Sequence, residues 1–341
     1  MYKLADRIQI VSLHNGRIFL IDDEITELEG SPQHTEKALK LLEKGCMEEE
    51  LNRIMPLEDT QKLLEFLKEE ELLRENWENE YLDTIVEKQL YYLDDFSIDS
   101  NQLQSNLKSA KVVILGVGGV GSVLIQHLIG AGIENFILID NDVVNIHNLN
   151  RQFLYTQEDF GKPKVKAAEN FMRKVNPSVK VTSYQTTIDS IKSLDFLASH
   201  SIDIFINAAD YPKHLDKIVD EYCFERKIPW VGSGVGRHQG FWGPLFVPGK
   251  TCCLNCFIAE EEKEMKEIEK IIRERSNSII QASFAPTNTI VSAFLAMDVI
   301  HFLAQINQIH SYLTRCQIDF TTLKLNRFTI DEPKLCNCGG E

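Results

Sequence analysis

Apolar and polar positions alternate through "RIQIVSLHNGRIFLID", residues 7–22, which predicts two strands with Asn15-Gly16 between them. A type I′ turn, with positive φ at both central residues, is the expected join. The pattern then changes to helical spacing. "TEKALKLLEKG" reads as a helix capped by Thr35 and ended by Gly45, "MEEELNRIM" as a short turn, and "PLEDTQKLLEFLKEEELL" as a third helix. Residues 79–110 read as helix and connector. From there apolar runs alternate with helical stretches: "KVVILG", "NFILID", "VKVTSYQTT", "IDIFINAAD", "IPWVGSG" and "GFWGPLFVPG". Such alternation predicts an α/β doubly wound sheet, parallel at first and antiparallel in its later part. "IAEEEKEMKEIEKIIRERS", residues 258–276, has no apolar stripe and reads as a charged, solvated insertion. "PTNTIVSAFLAMDVIHFLAQI" reads as a buried apolar helix.

Two domains follow: residues 1–78, and residues 79–341 carrying the insertion. The hairpin with three helices resembles a small winged-helix module. Lys and Arg number 36 against 51 Asp and Glu, for a net charge of -15. That excludes a nucleic-acid partner, because binding the phosphate backbone requires a basic surface. "MYKLADRIQI" lacks the features of a secretory leader, and no run reaches the roughly 18 apolar residues of a membrane span, so a cytoplasmic enzyme with no membrane partner is expected.

The chemistry begins at "VVILGVGGVGS". Gly116, Gly118, Gly119 and Gly121 lie between a strand and a helix, the arrangement that seats a nucleotide pyrophosphate on a helix N-terminus. Asp140 follows Gly116 by 24 positions, close to the spacing of about 20 for a ribose-binding acid, and Asp142 stands beside it. None of this separates a hydride carrier from ATP. The next stretch does: "NLNRQFL" and "GKPK" supply Arg151 and Lys164, two cations that can reach the β- and γ-phosphates while the α-phosphate is attacked. Hydride transfer has no such need.

With "GVGGVGS", "IDND", "NLNRQFL", "GKPK", "INAAD" and "VPGKTCCLNC" in this order, residues 85–340 resemble the ubiquitin-activating-enzyme-like adenylyltransferases, the ThiF/MoeB/HesA group. Within it, "FWGPLFVPGKTCCLNC" and "SFAPTNTIVSAFLAMDVIHFL" look most like the peptide-modifying enzymes of microcin C and pantocin A biosynthesis, which gives residues 1–78 a purpose as a peptide clamp. The resemblance implies a Rossmann-like adenylation domain, a nucleotide turn at the four glycines, Asp140 on the ribose, and Arg151 and Lys164 on the phosphates. It implies Mg2+ at Asp210, a place where a carboxylate at the carboxyl edge of a sheet can hold a hard cation bridging ATP oxygens. It also implies a homodimer in which a helix before the first strand lends an arginine to the partner's ATP. Here that stretch is Lys88-Gln89-Leu90, so Lys88 keeps the charge without the planar fork.

Of eight cysteines, Cys253 and Cys256 form a C-x-x-C, and Cys336 and Cys338 a C-x-C near the C-terminus. Two such pairs can close a tetrahedral structural zinc site, a zinc knuckle, with Cys252 as a spare. Cys46, Cys223 and Cys316 read as buried, which argues against a thioester nucleophile. Arg237 and His238 are further candidates, Arg237 either in place of the family arginine or as a partner for the peptide's carboxylates. The expected activity is ATP- and Mg2+-dependent adenylation of a carboxylate or terminal amide in a ribosomally made precursor peptide. AMP is then retained on the product or lost on condensation and cyclisation. The alternative is adenylation of a sulfur-carrier protein.

Overall fold

The computed structural model describes residues 1–22, 24–28, 32–75, 78–267 and 282–330. The chain divides into two compact units, Met1–Ser105 and Asn106–Glu341. The first contains β1 (Tyr2–Leu4), then an antiparallel meander of β2 (Gln9–Ser12), β3 (Ile18–Ile21) and β4 (Ile25–Leu28). Three helices follow: α1 (Pro32–Lys44), α2 (Glu48–Leu51) and α3 (Leu57–Glu69). β5 (Leu73–Glu75) returns to pair antiparallel with β1, and α4 (Glu87–Leu93) and α5 (Ser100–Ser109) come after it, α5 running into the second unit. Leu20, Leu39, Leu42, Leu51, Leu64 and Leu67 fill the core.

Three expectations for this unit change in detail. The β2–β3 connection spans residues 13–17, with three residues between the paired Leu13 and Arg17: Gly16 N–H donates to Leu13 O at 2.9 Å and Leu13 N–H to Arg17 O at 2.9 Å. Gly16 has φ +85 while Asn15 does not enter positive φ. The loop is therefore a type I turn closed by a left-handed glycine rather than a type I′ turn. Helix α1 starts at Pro32, where the fixed φ of proline suits a first helical position, so Thr35 is buried inside the helix instead of capping it. The run "ELL" leaves α3 at Glu71, whose φ is +55, and its last leucine enters β5.

A buried ionic network joins α4 to the rest of this unit. Arg74, 1% exposed, pairs with the fully buried Asp94 just after α4 and, at 3.2 Å, with Asp6. Burial draws the Arg74 guanidinium down to about 10.

The second unit is an eight-stranded sheet in the order β13-β12-β11-β10-β9-β6-β7-β8. Its elements are β6 (Lys111–Leu115), α6 (Gly119–Gly130), β7 (Asn135–Ile139), α7 (Lys164–Val175), β8 (Lys180–Tyr184), β9 (Ile204–Asn207), α8 (Leu215–Glu225), β10 (Trp230–Val235), β11 (Gln239–Phe246), α9 (Leu254–Glu264), α10 (Ala285–Ala304), β12 (Thr314–Asp319) and β13 (Leu325–Thr329). Strands β6 to β10 are parallel and β10 to β13 antiparallel, as the sequence pattern predicts. Chain direction across the sheet reverses at β6, which has β7 on one side and β9 on the other. In such sheets the crevice at the carboxyl ends of those strands is where a ligand fits.

One face of the sheet packs Val113, Leu115, Phe205 and Trp230 against α8 and Phe257 of α9, with Trp230 stacked on Phe246 at 4.9 Å between ring centroids. On the other, α6 lies against α10. Helix α10 is long and apolar enough to cross a bilayer, yet Val291, Leu295, Ala296 and Val299 are buried in this core. The described start of the charged stretch continues α9, and Glu261 there forms an ion pair with Arg315 of β12 at 2.6 Å. Residues 268–276 of the stretch lie outside the described residues.

Asp298 of α10, 2% exposed, accepts from Trp242 Nε1 at 3.0 Å, His310 N at 2.9 Å and Ser311 N at 2.9 Å. Asp298→Ala strands three donors, two of them buried, and is expected to lower stability by about 3 kcal/mol or more, read as the urea midpoint followed by tryptophan fluorescence.

Candidate active site

The site starts from a steric demand. Gly116, at the end of β6, has φ +89, and a Cβ there would lie 2.8 Å from both the Cβ and the backbone N of Ala209, in the loop after β9. A Cβ on Gly121 would lie 1.9 Å from the Gly116 carbonyl oxygen. The turn between β6 and α6 thus closes only with hydrogen at both positions, which brings it against the strand-end loop that carries Asp210. Gly119 faces Asn288 of α10, whose Oδ1 would be 2.6 Å from an added Cβ. Gly118 precedes α6 at its N-cap position, where unpaired backbone N–H groups and the helix dipole favour an anion.

Asp140 supports this turn from below. Its Oδ2 accepts Val117 N–H at 2.7 Å and its Oδ1 accepts Asp142 N–H at 2.8 Å. The loop is braced again by Tyr155, whose hydroxyl donates to Val117 O at 2.8 Å. Asp142 is the more open acid, with its side chain 60% exposed and Oδ2 at 2.8 Å from Lys164 Nζ. Lys164 opens α7 and is 5% exposed. One of its three ammonium donors goes to Asp142, which leaves two. Arg151 is fixed through Nη1, which donates to His147 O at 2.8 Å and Asn150 Oδ1 at 2.9 Å. Its Nε and Nη2 remain available.

Asp210 is exposed at the carboxyl end of β9, before the cis Tyr211–Pro212 bond. Arg237 and His238 are exposed in the β10–β11 turn. Lys88 is in the first unit, on α4, paired with Glu87 at 2.9 Å and 5.6 Å from the Tyr91 ring centre.

Several residues that pattern reading passed over belong to this part of the fold. Asn207 Nδ2 donates to Asp216 Oδ1 at 2.7 Å, where burial pushes the Asp216 carboxyl up. Asp220 accepts from Trp230 Nε1 at 3.0 Å and from Leu254 N at 3.2 Å, so a buried acid fixes the helix end at which Cys253 stands. Burial raises the Asp220 carboxyl too. These acids carry no sequence signal, since "LDKIVDEYC" reads as an ordinary amphipathic helix.

Cys253 is the N-cap of α9 and Cys256 follows within its first turn. Cys336 and Cys338 lie outside the described residues. Among the described residues, no group of three or more His, Cys, Asp and Glu side chains is arranged to hold a metal ion. Cys46, Cys223 and Cys316 are buried, as expected. Burial raises all three thiols, Cys316 to about 11 and Cys223 well above the ordinary value.

The ThiF family profile matches residues 88–340. The chain belongs to the ThiF family. Among solved structures, this ThiF-family chain is similar to E. coli MccB with MccA-N7isoASN, at 26% identity and a TM-score of 0.80, covering 99% of both chains. It is likewise similar to E. coli MccB with ATP, at 27% identity and a TM-score of 0.78 over 98% of both. The molybdopterin-synthase adenylyltransferase of Salmonella typhimurium is 26% identical over 206 residues, which are 60% of this chain and 77% of that protein. As a ThiF-family adenylyltransferase, the protein is an enzyme that uses ATP.

Two outcomes test the site's construction. Gly121→Ala is expected to destabilise the second unit by about 3 kcal/mol or more, seen as a lower thermal midpoint, because backbone rather than a yielding side chain receives the new methyl. Iodoacetamide at pH 8 is expected to leave Cys46, Cys223 and Cys316 unmodified in the folded chain and to label them in urea, read by peptide mass mapping. At that pH their raised values keep the thiols protonated, and the protonated form is unreactive.

Proposed function

We propose that the protein adenylates a carboxylate or terminal amide of a ribosomally made precursor peptide during antibiotic maturation. The observation that carries this reading is the extent of the likeness to MccB, which runs through the first unit as well as the second. The first unit then acts as a winged-helix-like peptide clamp. β2 and β4 are the two edges of its three-stranded sheet, and a peptide strand can add to such an edge through main-chain hydrogen bonds.

In the second unit ATP lies across the β6–α6 turn, with its phosphates against Arg151 and Lys164. Asp140, whose two oxygens each accept one bond in shaping the turn and keep further acceptor capacity, is the acid assigned to a ribose hydroxyl, with the exposed Asp142 beside it. Lys164 reaches the phosphates without leaving Asp142, and Arg151 offers Nε and Nη2. The attacked α-phosphate gains charge as the acyl oxygen adds and pyrophosphate departs, and fixed cations stabilise that charge. Asp210 would hold Mg2+, which supplies charge neutralisation between phosphate oxygens; one carboxylate together with substrate phosphates is a common set for this ion. Lys88 would serve the nucleotide of a second copy in a homodimer. Cys253 and Cys256, with Cys336 and Cys338, would complete the structural zinc knuckle.

The activated carbonyl is then attacked by a nucleophile of the peptide itself. That attack expels AMP and completes the condensing outcome; in the outcome whose product carries AMP, a nitrogen of the cyclised peptide then attacks the α-phosphate of a second ATP and a second pyrophosphate leaves. Similarity to the molybdopterin-synthase adenylyltransferase favours a second reading, in which the acyl acceptor of AMP is a sulfur-carrier protein.

Mass spectrometry of short peptides encoded beside the gene, incubated with the protein, ATP and Mg2+, separates these readings. A peptide that gains AMP, or loses water or carbon dioxide, supports the proposal; adenylation of a carrier protein alone rejects it. Asp210→Ala is expected to slow pyrophosphate release by about 100-fold or more.

A further inference from the structure

Beside the nucleotide turn is a polar side chain that the assignments above leave without a task. Gln152 is 2% exposed, and its side-chain carbonyl has no hydrogen-bond partner among the described residues. Its backbone is fixed, since its N–H donates to Asn148 O at 3.0 Å and its carbonyl accepts Tyr155 N–H at 3.1 Å. Tyr155 is in turn bonded to Val117 O, within the turn itself. The Gln152 amide is therefore held against the glycine loop from behind.

Its direction is given by Gly118. Apart from chain neighbours, the one atom within 4 Å of a Cβ added there is Gln152 Nε2, at 3.9 Å. Gly116, Gly119 and Gly121 each have protein atoms closer than 3.0 Å in that place. So the missing side chain of Gly118 opens a gap, and the amide of Gln152 faces it at the N-cap of a twelve-residue helix. An anion in that gap would meet the N–H groups of Nε2; the unmet carbonyl oxygen is itself an acceptor and takes no part in such a contact.

We propose that Gln152 is a nucleotide-binding residue that contacts a phosphate oxygen of ATP through the gap at Gly118, with Nε2–H as donor. Arg151 and Gln152 then act from the same turn as a pair, the guanidinium from the open side and the amide from beneath. The inference rests on the reading of this turn as the ATP site.

The test uses the full chain and isothermal titration with ATP, with tripolyphosphate displacement and a thermal melt beside it. Gln152→Met replaces the amide by an apolar group of similar length, and Gln152→Glu puts a carboxylate against the phosphates. Gln152→Met is expected to weaken ATP and tripolyphosphate by the same factor, about tenfold or more, with an unchanged melting midpoint. Gln152→Glu is expected to weaken both further; should it not fold, Gln152→Met decides alone. Unchanged ATP affinity in Gln152→Met overturns the proposal, as does a loss for ATP not shared by tripolyphosphate, or one matched by a lowered midpoint. A wild-type chain that binds no ATP overturns the reading of the turn and this inference together, whereas binding that Gln152→Met leaves intact overturns the inference alone.

Discussion

The Cα of Gly121 stands so near the carbonyl of Gly116 that no side chain fits between them, and the second unit is arranged around that approach. It lets α6 begin immediately after β6 and aims the helix's unpaired N–H groups at the crevice where the sheet changes direction. It also leaves Gly116 touching the loop after β9, so that two strand ends and one helix end meet at one point. The acids and cations of the site then need only short reaches. Backbone thus shapes the cradle, and on the proposed reading Arg151, Lys164, Asp142 and Asp210 would supply the charge.

A second constraint is the use of buried carboxylates as fasteners. Asp298 holds the Trp242 indole together with two backbone amides, and Asp220 holds the Trp230 indole with the first amide of α9. In each case an acid on one helix gathers a strand's indole and backbone amides of a neighbouring segment, a loop for Asp298 and the start of α9 for Asp220. These bonds lie on opposite faces of the sheet, fixing α10 on one and the C-x-x-C turn on the other. Arg74 and Asp94 do similar work in the first unit, where the two buried charges form an ion pair.

Much of this was legible in the sequence, for physical reasons. Alternating runs of period two and period 3.6 locate β6 to β11 of the large sheet, since each must bury one or both faces, whereas β13, nearly all exposed, gives no such run. The glycines reveal the turn because no other residue fits there, and Arg151 and Lys164 stand out against an acidic chain. What remained illegible depended on distant partners. Nothing near Asp140 indicates that both its oxygens serve the glycine turn, and Gln152 gains meaning only once Gly118 is seen in front of it. The β2–β3 turn shows the limit of a local rule: Asn-Gly suits a two-residue hairpin, but Arg17 pairs with Leu13 across a longer loop and only the glycine turns left-handed.

The ion pair between Lys164 and Asp142 has a thermodynamic side. A lysine loses considerable rotamer freedom when a ligand fixes it, and that loss opposes binding. Lys164 is buried and already tethered before any nucleotide arrives, so the loss is taken during folding instead. On the proposed reading the ammonium would meet a phosphate as a rigid fixture, with little rotamer freedom left to lose.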